Sequence, residues 1–323
     1  MPSSPACEIL PWHQDLWGVL AASPRLGHAL LLAGPAGVGK TRFADALGRH
    51  LLCATGSACG QCRSCHLLTV ANHPDLVRCA PAPGKTEIPI DDVRELTAFL
   101  TLTSHLGRGR VAIIEEAERL SRAAANALLK SLEEPPLGAH LLLISHAPER
   151  LLPTVRSRCQ RVNFPVPAWE EGLTYLQSVG CPQPVAALTL AGGAPLRAAA
   201  LTAADLQMGE DLLKALEDVR SGRLDALAAA EVWHKIDGHK AFAVLTALLA
   251  RAIQRTVPVP SGDRPDPLAD RLQTLVVGLD LRQIFGLWDK ILDHRGLLDA
   301  PLDRRLVWDE VFLVWQHMSH QTA

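Results

Sequence analysis

The chain has 323 residues, of which 48% are hydrophobic and 20% charged, and its formal net charge is −2. That length accommodates two or three domains, and the composition excludes a disordered chain. The near-neutral charge excludes a dedicated nucleic-acid binder with a large basic surface, leaving only local or shared DNA contact.

The first ten residues have no basic flank followed by an apolar core, so they do not read as a secretory signal. The longest nearly apolar stretch, residues 241–250, falls far short of the ~20 residues needed to span a bilayer. A cytoplasmic protein without membrane segments is expected. In that compartment thiols stay reduced, so clustered cysteines point to metal rather than to disulfides.

In chain order, short apolar runs at residues 28–33, 75–79, 110–114, 140–145 and 161–164 alternate with helical patterns. This alternation predicts an α/β domain: a five-stranded parallel sheet covered by helices. A helix over 41–52 places Phe43, Leu47 and Leu51 on one face, and another over 121–132 does the same with Leu128 and Leu132 before Pro135 and Pro136 stop it. After Phe164-Pro165-Val166-Pro167 the sequence turns Ala- and Leu-rich and helical. A Gly-Gly-Ala-Pro break near 192–195 and a four-proline stretch over 258–267, expected as a loop, interrupt that part. The predicted division is residues 1–165, 166–207 and 208–323, and no internal repeat is visible.

Four groups of residues carry chemistry. Gly34-Pro35-Ala36-Gly37-Val38-Gly39-Lys40-Thr41 fits the phosphate-loop pattern between a predicted strand and helix. Its glycines let backbone amides curl around phosphate, Lys40 reaches the outer phosphates, and Thr41 holds magnesium. The plainer alternative is a Gly-rich turn. At the end of the third strand, Glu115 stands where such sites usually have aspartate, and Glu116 stands where a water-activating base is expected. A magnesium site tolerates the longer Glu115 poorly, so binding of ATP is favoured over fast hydrolysis; the alternative is a solvated strand end.

Cys53, Cys59, Cys62 and Cys65, with Gly56 and Gly60 as turns, suit a closed tetrahedral structural zinc site around residues 53–65. The alternative is four unrelated buried cysteines. His66 is a spare ligand or a surface histidine, and His73 reads as part of a turn into the second strand. Finally, the arginine-rich segment 150–161 offers guanidinium groups that could complete a neighbour's phosphate site, or that are merely solvated.

The phosphate loop, the cysteine cluster, the Asn126-Ala127-Leu128-Leu129-Lys130-Ser131-Leu132-Glu133-Glu134-Pro135 string and Ser157-Arg158-Cys159 together resemble the clamp-loader branch of the AAA+ family over residues 9–200. The resemblance implies an AAA+ nucleotide-binding domain with an inserted zinc module, a small helical lid, and a helical collar for oligomerisation in a five-subunit ring. It implies a stator class of subunit that helps load the sliding clamp onto primed DNA in replication. Arg158 would then be an arginine finger acting in trans, Ser145 a polar sensor, and Arg197 a lid sensor. The same resemblance leaves no polymerase site in this chain and implies weak or no ATPase of its own.

The rival within the family is the ATP-hydrolysing motor subunit. Glu115, the Ala-Ala-Ala-Asn start of the helix and the short sequence after the collar favour the stator, whereas the intact phosphate loop favours the motor. A phosphate-loop kinase ranks a distant third, since Arg197 alone offers a phosphate-facing arginine after Phe164. Aromatics are 4% of residues, too few for a stacking platform on single-stranded DNA. Trp288, Trp308 and Trp315 are expected as core or interface anchors.

Overall fold

A computed structural model of the chain describes residues 9–23, 26–256, 267–297 and 304–320. They form two compact units, divided between Glu171 and Gly172. Most of the proline-rich stretch expected as a loop lies outside the described residues.

In the first unit β1 (Ala29–Ala33), β2 (Leu76–Cys79), β3 (Arg110–Ile114), β4 (Ala139–Ser145) and β5 (Gln160–Asn163) form one sheet in the order β2-β3-β4-β1-β5. Every pairing is parallel. All five expected strands are present, none displaced by more than one residue at either end. β1 reads Ala-Leu-Leu-Leu-Ala and β3 Arg-Val-Ala-Ile-Ile, with every residue buried, as strands covered by helices on both faces must be.

The helices of this unit are α1 (Gln14–Ala21), α2 (Lys40–Leu52), α3 (Arg63–Thr69), α4 (Ile90–Thr101), α5 (Arg122–Glu133) and the single turn α6 (Pro153–Arg156). α2 buries Phe43, Leu47 and Leu52, with Leu51 half-buried. α5 starts where Ser121 Oγ accepts the Ala124 amide at 3.2 Å and ends just before the two prolines, burying Ala124, Ala125, Leu128 and Leu132.

A buried ion pair ties the segment after α4 to the sheet. Asp75, 0% exposed, accepts Ser104 Oγ at 3.0 Å and the amides of His105 and Leu106 at 2.8 and 2.9 Å. Arg110 Nη2 stands 3.7 Å from the same carboxylate, donates to the Thr103 carbonyl, and lies 4.4 Å from the Phe99 ring centroid. Burial penalises the Asp75 anion, but these donors and Arg110 outweigh it and hold its pKa below the ordinary value.

The second unit is helical. α7 (Trp169–Ser178) leads into α8 (Pro184–Leu190), α9 (Pro195–Ala199), α10 (Ala203–Arg220), α11 (Ala226–Trp233), α12 (Gly238–Thr256), α13 (Pro267–Val276), α14 (Leu281–Leu297) and α15 (Arg304–His320). Thr202 and Asp205 form a reciprocal cap at the start of α10, and Lys240 donates to Asp205 at 2.9 Å. The core is aromatic: the Trp308 ring lies 4.5 Å from Phe242 and 5.7 Å from both Trp233 and Phe312. Trp315 is buried too and donates to the Leu216 carbonyl at 2.9 Å, while Trp288 is half-buried. Among the described residues no helix is long and apolar enough to cross a membrane.

Candidate phosphate loop and metal centre

The carboxyl ends of β1, β3 and β4 are neighbours in the sheet, and the residues that leave them form one site. This is where open parallel sheets place ligands. Gly34 donates its amide to the Ser145 carbonyl at 3.3 Å, and Phe164 closes the other side by donating to Ala33 at 2.7 Å. A Cβ on Gly34 would fall 2.0 Å from the Phe164 carbonyl oxygen, so only glycine lets the loop pass. Gly39, at φ +105°, begins α2 in a conformation that disfavours side chains, with Leu10 Cδ1 2.3 Å from where a Cβ would lie.

Lys40 is buried, and its Nζ donates to the carbonyls of Gly34 and Pro35 at 2.5 Å each. Burial pushes its pKa down to about 8, with Glu118 opposing the shift. Thr41 and Gly37 are half-buried, and Ser145 is fully buried with its hydroxyl accepting the Ala147 amide at 3.3 Å. Arg197 lies on α9 in the second unit.

The two acids at the end of β3 are both engaged. Glu115 Oε1 accepts Arg78 Nη1 at 3.0 Å, and Arg78 Nη2 is paired with Asp45 of α2. Glu116 takes φ +49°, a conformation few non-glycine residues adopt, and its Oε2 accepts Arg119 Nη1 at 3.0 Å.

Three contributors to this site were not read from the sequence. His13, in the turn Pro11–His13, packs edge-on against Phe43 and Phe164 beside Gly39, and its Nε2 is buried with no hydrogen-bond partner. Glu118 accepts the His146 amide at 3.0 Å and leaves Oε2 without a partner, as His146 leaves Nδ1. No motif spacing signals these residues, because tertiary packing brings them to Lys40.

Burial, reinforced by Lys40, lowers the His13 pKa from 6.5 to about 4. A depressed histidine contributes stability that is fully present above 6.5 and is lost as pH falls toward 4. Unfolding free energy measured in urea is therefore expected to drop by about 2 kcal/mol between pH 6.5 and 5 from His13 alone. His13→Phe, which keeps the ring packing, is expected to remove one proton from the slope; an unchanged slope would contradict the assignment. His73, His140 and His146 are lowered by burial as well and add to the slope in the same direction.

The cysteine cluster closes at the end of α2. Cys53 is the residue after that helix, and Cys62 Sγ caps α3 by accepting the Cys65 amide at 3.4 Å. The four sulfurs lie within 4.8 Å of one another, with Cys53 to Cys59 at 3.7 Å and Cys53 to Cys62 at 3.9 Å. A tetrahedron with metal–sulfur bonds of about 2.3 Å has sulfurs about 3.8 Å apart, so this set is shaped to hold a metal ion. Burial opposes ionisation of Cys53, yet the Thr55 hydroxyl and the Cys59, Ser57 and Thr55 amides outweigh it and bring its pKa down to about 5. His66 is exposed and outside the cluster. His73 is buried: its Nδ1 accepts the Asp75 amide at 3.0 Å and its Nε2 bonds Ser64 Oγ at 2.7 Å. As expected, it is part of the turn into β2.

The Ser157-Arg158-Cys159 turn follows α6. Val155 is buried and Cys159 half-buried against the sheet core, leaving Arg158 outside. Its Nη2 pairs with Glu133 Oε1 at 2.6 Å and its Nη1 donates to the Thr154 carbonyl at 3.0 Å. Elsewhere in the arginine-rich segment, Arg161 Nε donates to Asn163 at 2.8 Å.

The family described as DNA polymerase III, delta subunit, matches residues 14–168. DNA polymerase III subunit delta' of Pseudomonas aeruginosa is 40% identical over 239 residues, 71% of this chain and 72% of that protein. DNA polymerase III subunit delta' of Escherichia coli is 40% identical over 231 residues, 68% of this chain and 69% of that protein. Similarity to DNA polymerase III subunit tau/gamma of Haemophilus influenzae is 39% but spans 138 residues, 42% of this chain and 20% of that protein. A five-stranded parallel sheet with a phosphate loop, extended by helices and matched at this identity over this length, places the chain in the family of DNA polymerase III delta' subunits.

Proposed function

We propose that this chain is the stator of a clamp loader: it joins motor and delta-like subunits in a five-membered ring, within the cytoplasmic replisome, that loads the sliding clamp onto primed DNA. The delta' relatives, matched over some 70% of both chains, support this, whereas the tau/gamma match stops at 42% of this chain. The observation that favours stator over motor is that both strand-end carboxylates, Glu115 and Glu116, are already bound by arginines. In each, one carboxylate oxygen is held in that pair.

In this reading ATP is seated on Lys40 and the amides from Gly34 to Thr41, with Ser145 and Arg197 as sensors of the outer phosphate. Glu116 is in the position of a water-activating base, with one of its oxygens paired to Arg119. Arg158 reaches into a neighbour's ATP site, where its forked guanidinium meets transition-state charge. Residues 166–207 act as the lid and 208–323 as the collar.

The expected test of membership is co-elution: mixed with motor and delta-like subunits, the chain runs in gel filtration as one complex. A chain that stays separate under conditions where the other subunits associate would refute the stator role.

We also propose that the metal held by Cys53, Cys59, Cys62 and Cys65 is structural zinc, since four protein thiolates leave no position open for water. The purified chain is expected to carry one equivalent of zinc, with cobalt replacing it to give thiolate charge-transfer bands that Cys62→Ser abolishes. Recovery of the chain free of metal, with all four thiols freely reactive in the folded state, would contradict this.

A further inference from the structure

We infer that Ser64 and His73 are positioning residues of the cysteine metal centre: they fix Cys53 and Cys65 relative to each other before an ion arrives, and so set the affinity for it. This rests on the metal-centre reading above and deepens it.

The two halves of the centre differ. Cys53 and Cys65 are buried, whereas Cys59 and Cys62 are half-buried. Cys59 lies in a stretch outside any helix or strand, where Gly56, Ala58 and Gly60 all take positive φ. Cys53 directly follows α2, and Cys65 lies in the first turn of α3. The two buried thiols are thus carried by separate helices, and their spacing depends on what joins those helices.

One side chain joins them beside the metal centre. Ser64 Oγ donates to the Leu52 carbonyl at 2.7 Å. Leu52 immediately precedes Cys53, and Ser64 immediately precedes Cys65, so this bond ties together the planar peptide units next to both ligands. The Leu52 carbonyl is also one of those that the end of α2 leaves without a helical partner, and it sits on a buried residue that needs one. Arg49 adds a second tie between the helices, to the Leu68 carbonyl at 3.1 Å, one turn farther along α3.

His73 aims the hydroxyl. Its Nε2 lies 2.7 Å from Ser64 Oγ, and the single Ser64 proton is committed to Leu52, so Nε2 carries the hydrogen and Ser64 accepts it. The Asp75 amide donates to Nδ1 at 3.0 Å, as the same tautomer requires. Ser64 and His73 are 4% and 6% exposed. Asp75 is held in turn by the Ser104 hydroxyl and the amides of His105 and Leu106. A buried chain of hydrogen bonds therefore runs from the start of β2 to the peptide units beside two ligands, and no member of it belongs to the cysteine cluster itself. Groups that orient ligands without touching the ion are worth about 10- to 100-fold in metal affinity.

The test is the partition of zinc between the full chain and a competing chelator, read from the colour of the pyridylazoresorcinol complex. Two variants separate the two bonds of His73. His73→Gln puts an amide nitrogen where Nε2 stands, which keeps the bond to Ser64 and loses the one to Asp75. His73→Asn puts an oxygen where Nδ1 stands, which keeps the turn into β2 and loses Ser64. His73→Asn and Ser64→Ala are expected to weaken zinc binding by about 10- to 100-fold, and His73→Gln by no more than about threefold.

Losses that are equal in the two His73 variants, or larger in His73→Gln, would mean that the histidine serves only the fold, and overturn the inference. Wild-type affinity in His73→Asn overturns it too. The His73 pair decides the matter even where Ser64→Ala does not fold. A wild-type chain that carries no metal and takes up no zinc overturns the metal-centre reading and the inference together.

Discussion

Arg158→Ala in the reconstituted complex is expected to lower ATP turnover at the site it faces by roughly 10³- to 10⁵-fold, the range that loss of a transition-state guanidinium costs. Assembly should be unaffected, because Arg158 is exposed and its bonds in the isolated chain are to Glu133 and the Thr154 carbonyl, not to the core. The turn that carries it is anchored separately, by Val155 and Cys159. The Glu133 pair is partly exposed on both sides, so exchanging the carboxylate for a neighbour's phosphate costs little. DNA-stimulated ATPase together with gel filtration checks the prediction: normal assembly with unchanged turnover would remove the finger role.

The largest expected effect on stability comes from Asp75→Ala. The substitution leaves Arg110, 3% exposed, without its counter-charge, and strands the Ser104 hydroxyl and two amides. Removing one member of a buried ion pair costs about 3 to 5 kcal/mol. Against a typical domain stability of about 5 to 15 kcal/mol, that is a large share. Urea unfolding is expected to show a lowered midpoint with an unchanged slope. Arg110→Met in the Asp75→Ala background is expected to recover part of the loss, since the buried cation is then gone. A loss below about 1 kcal/mol for Asp75→Ala would mean that the carboxylate is not the organiser of this corner.

Much of the first unit was legible because its signals are local. The five strands are apolar runs bounded by turns, and parallel strands buried on both faces must look that way. Ser121 and the prolines after Glu134 mark both ends of α5 by cap chemistry and by the missing proline amide. The cysteines lie within thirteen residues of one another, so chain proximity alone brings the four thiols together.

What stayed hidden depends on separation. Arg78 stands 33 residues from Asp45 and 37 from Glu115, so no periodicity announces that it bonds both. His13, Glu118 and His146 reach the phosphate loop through packing, and each looks like an ordinary residue in its own segment. The reading of Glu115 as a longer substitute for aspartate caught that the site was altered. It missed that each acid has one oxygen paired with an arginine of the same chain.

The stator account is tested most directly by ATP turnover of the purified chain alone, repeated after the other clamp-loader subunits are added. The account predicts negligible turnover for the chain alone, and a subunit-dependent ATPase that Arg158→Ala removes. Robust turnover by the isolated chain, abolished by Lys40→Ala, would contradict it and make this chain a motor in its own right.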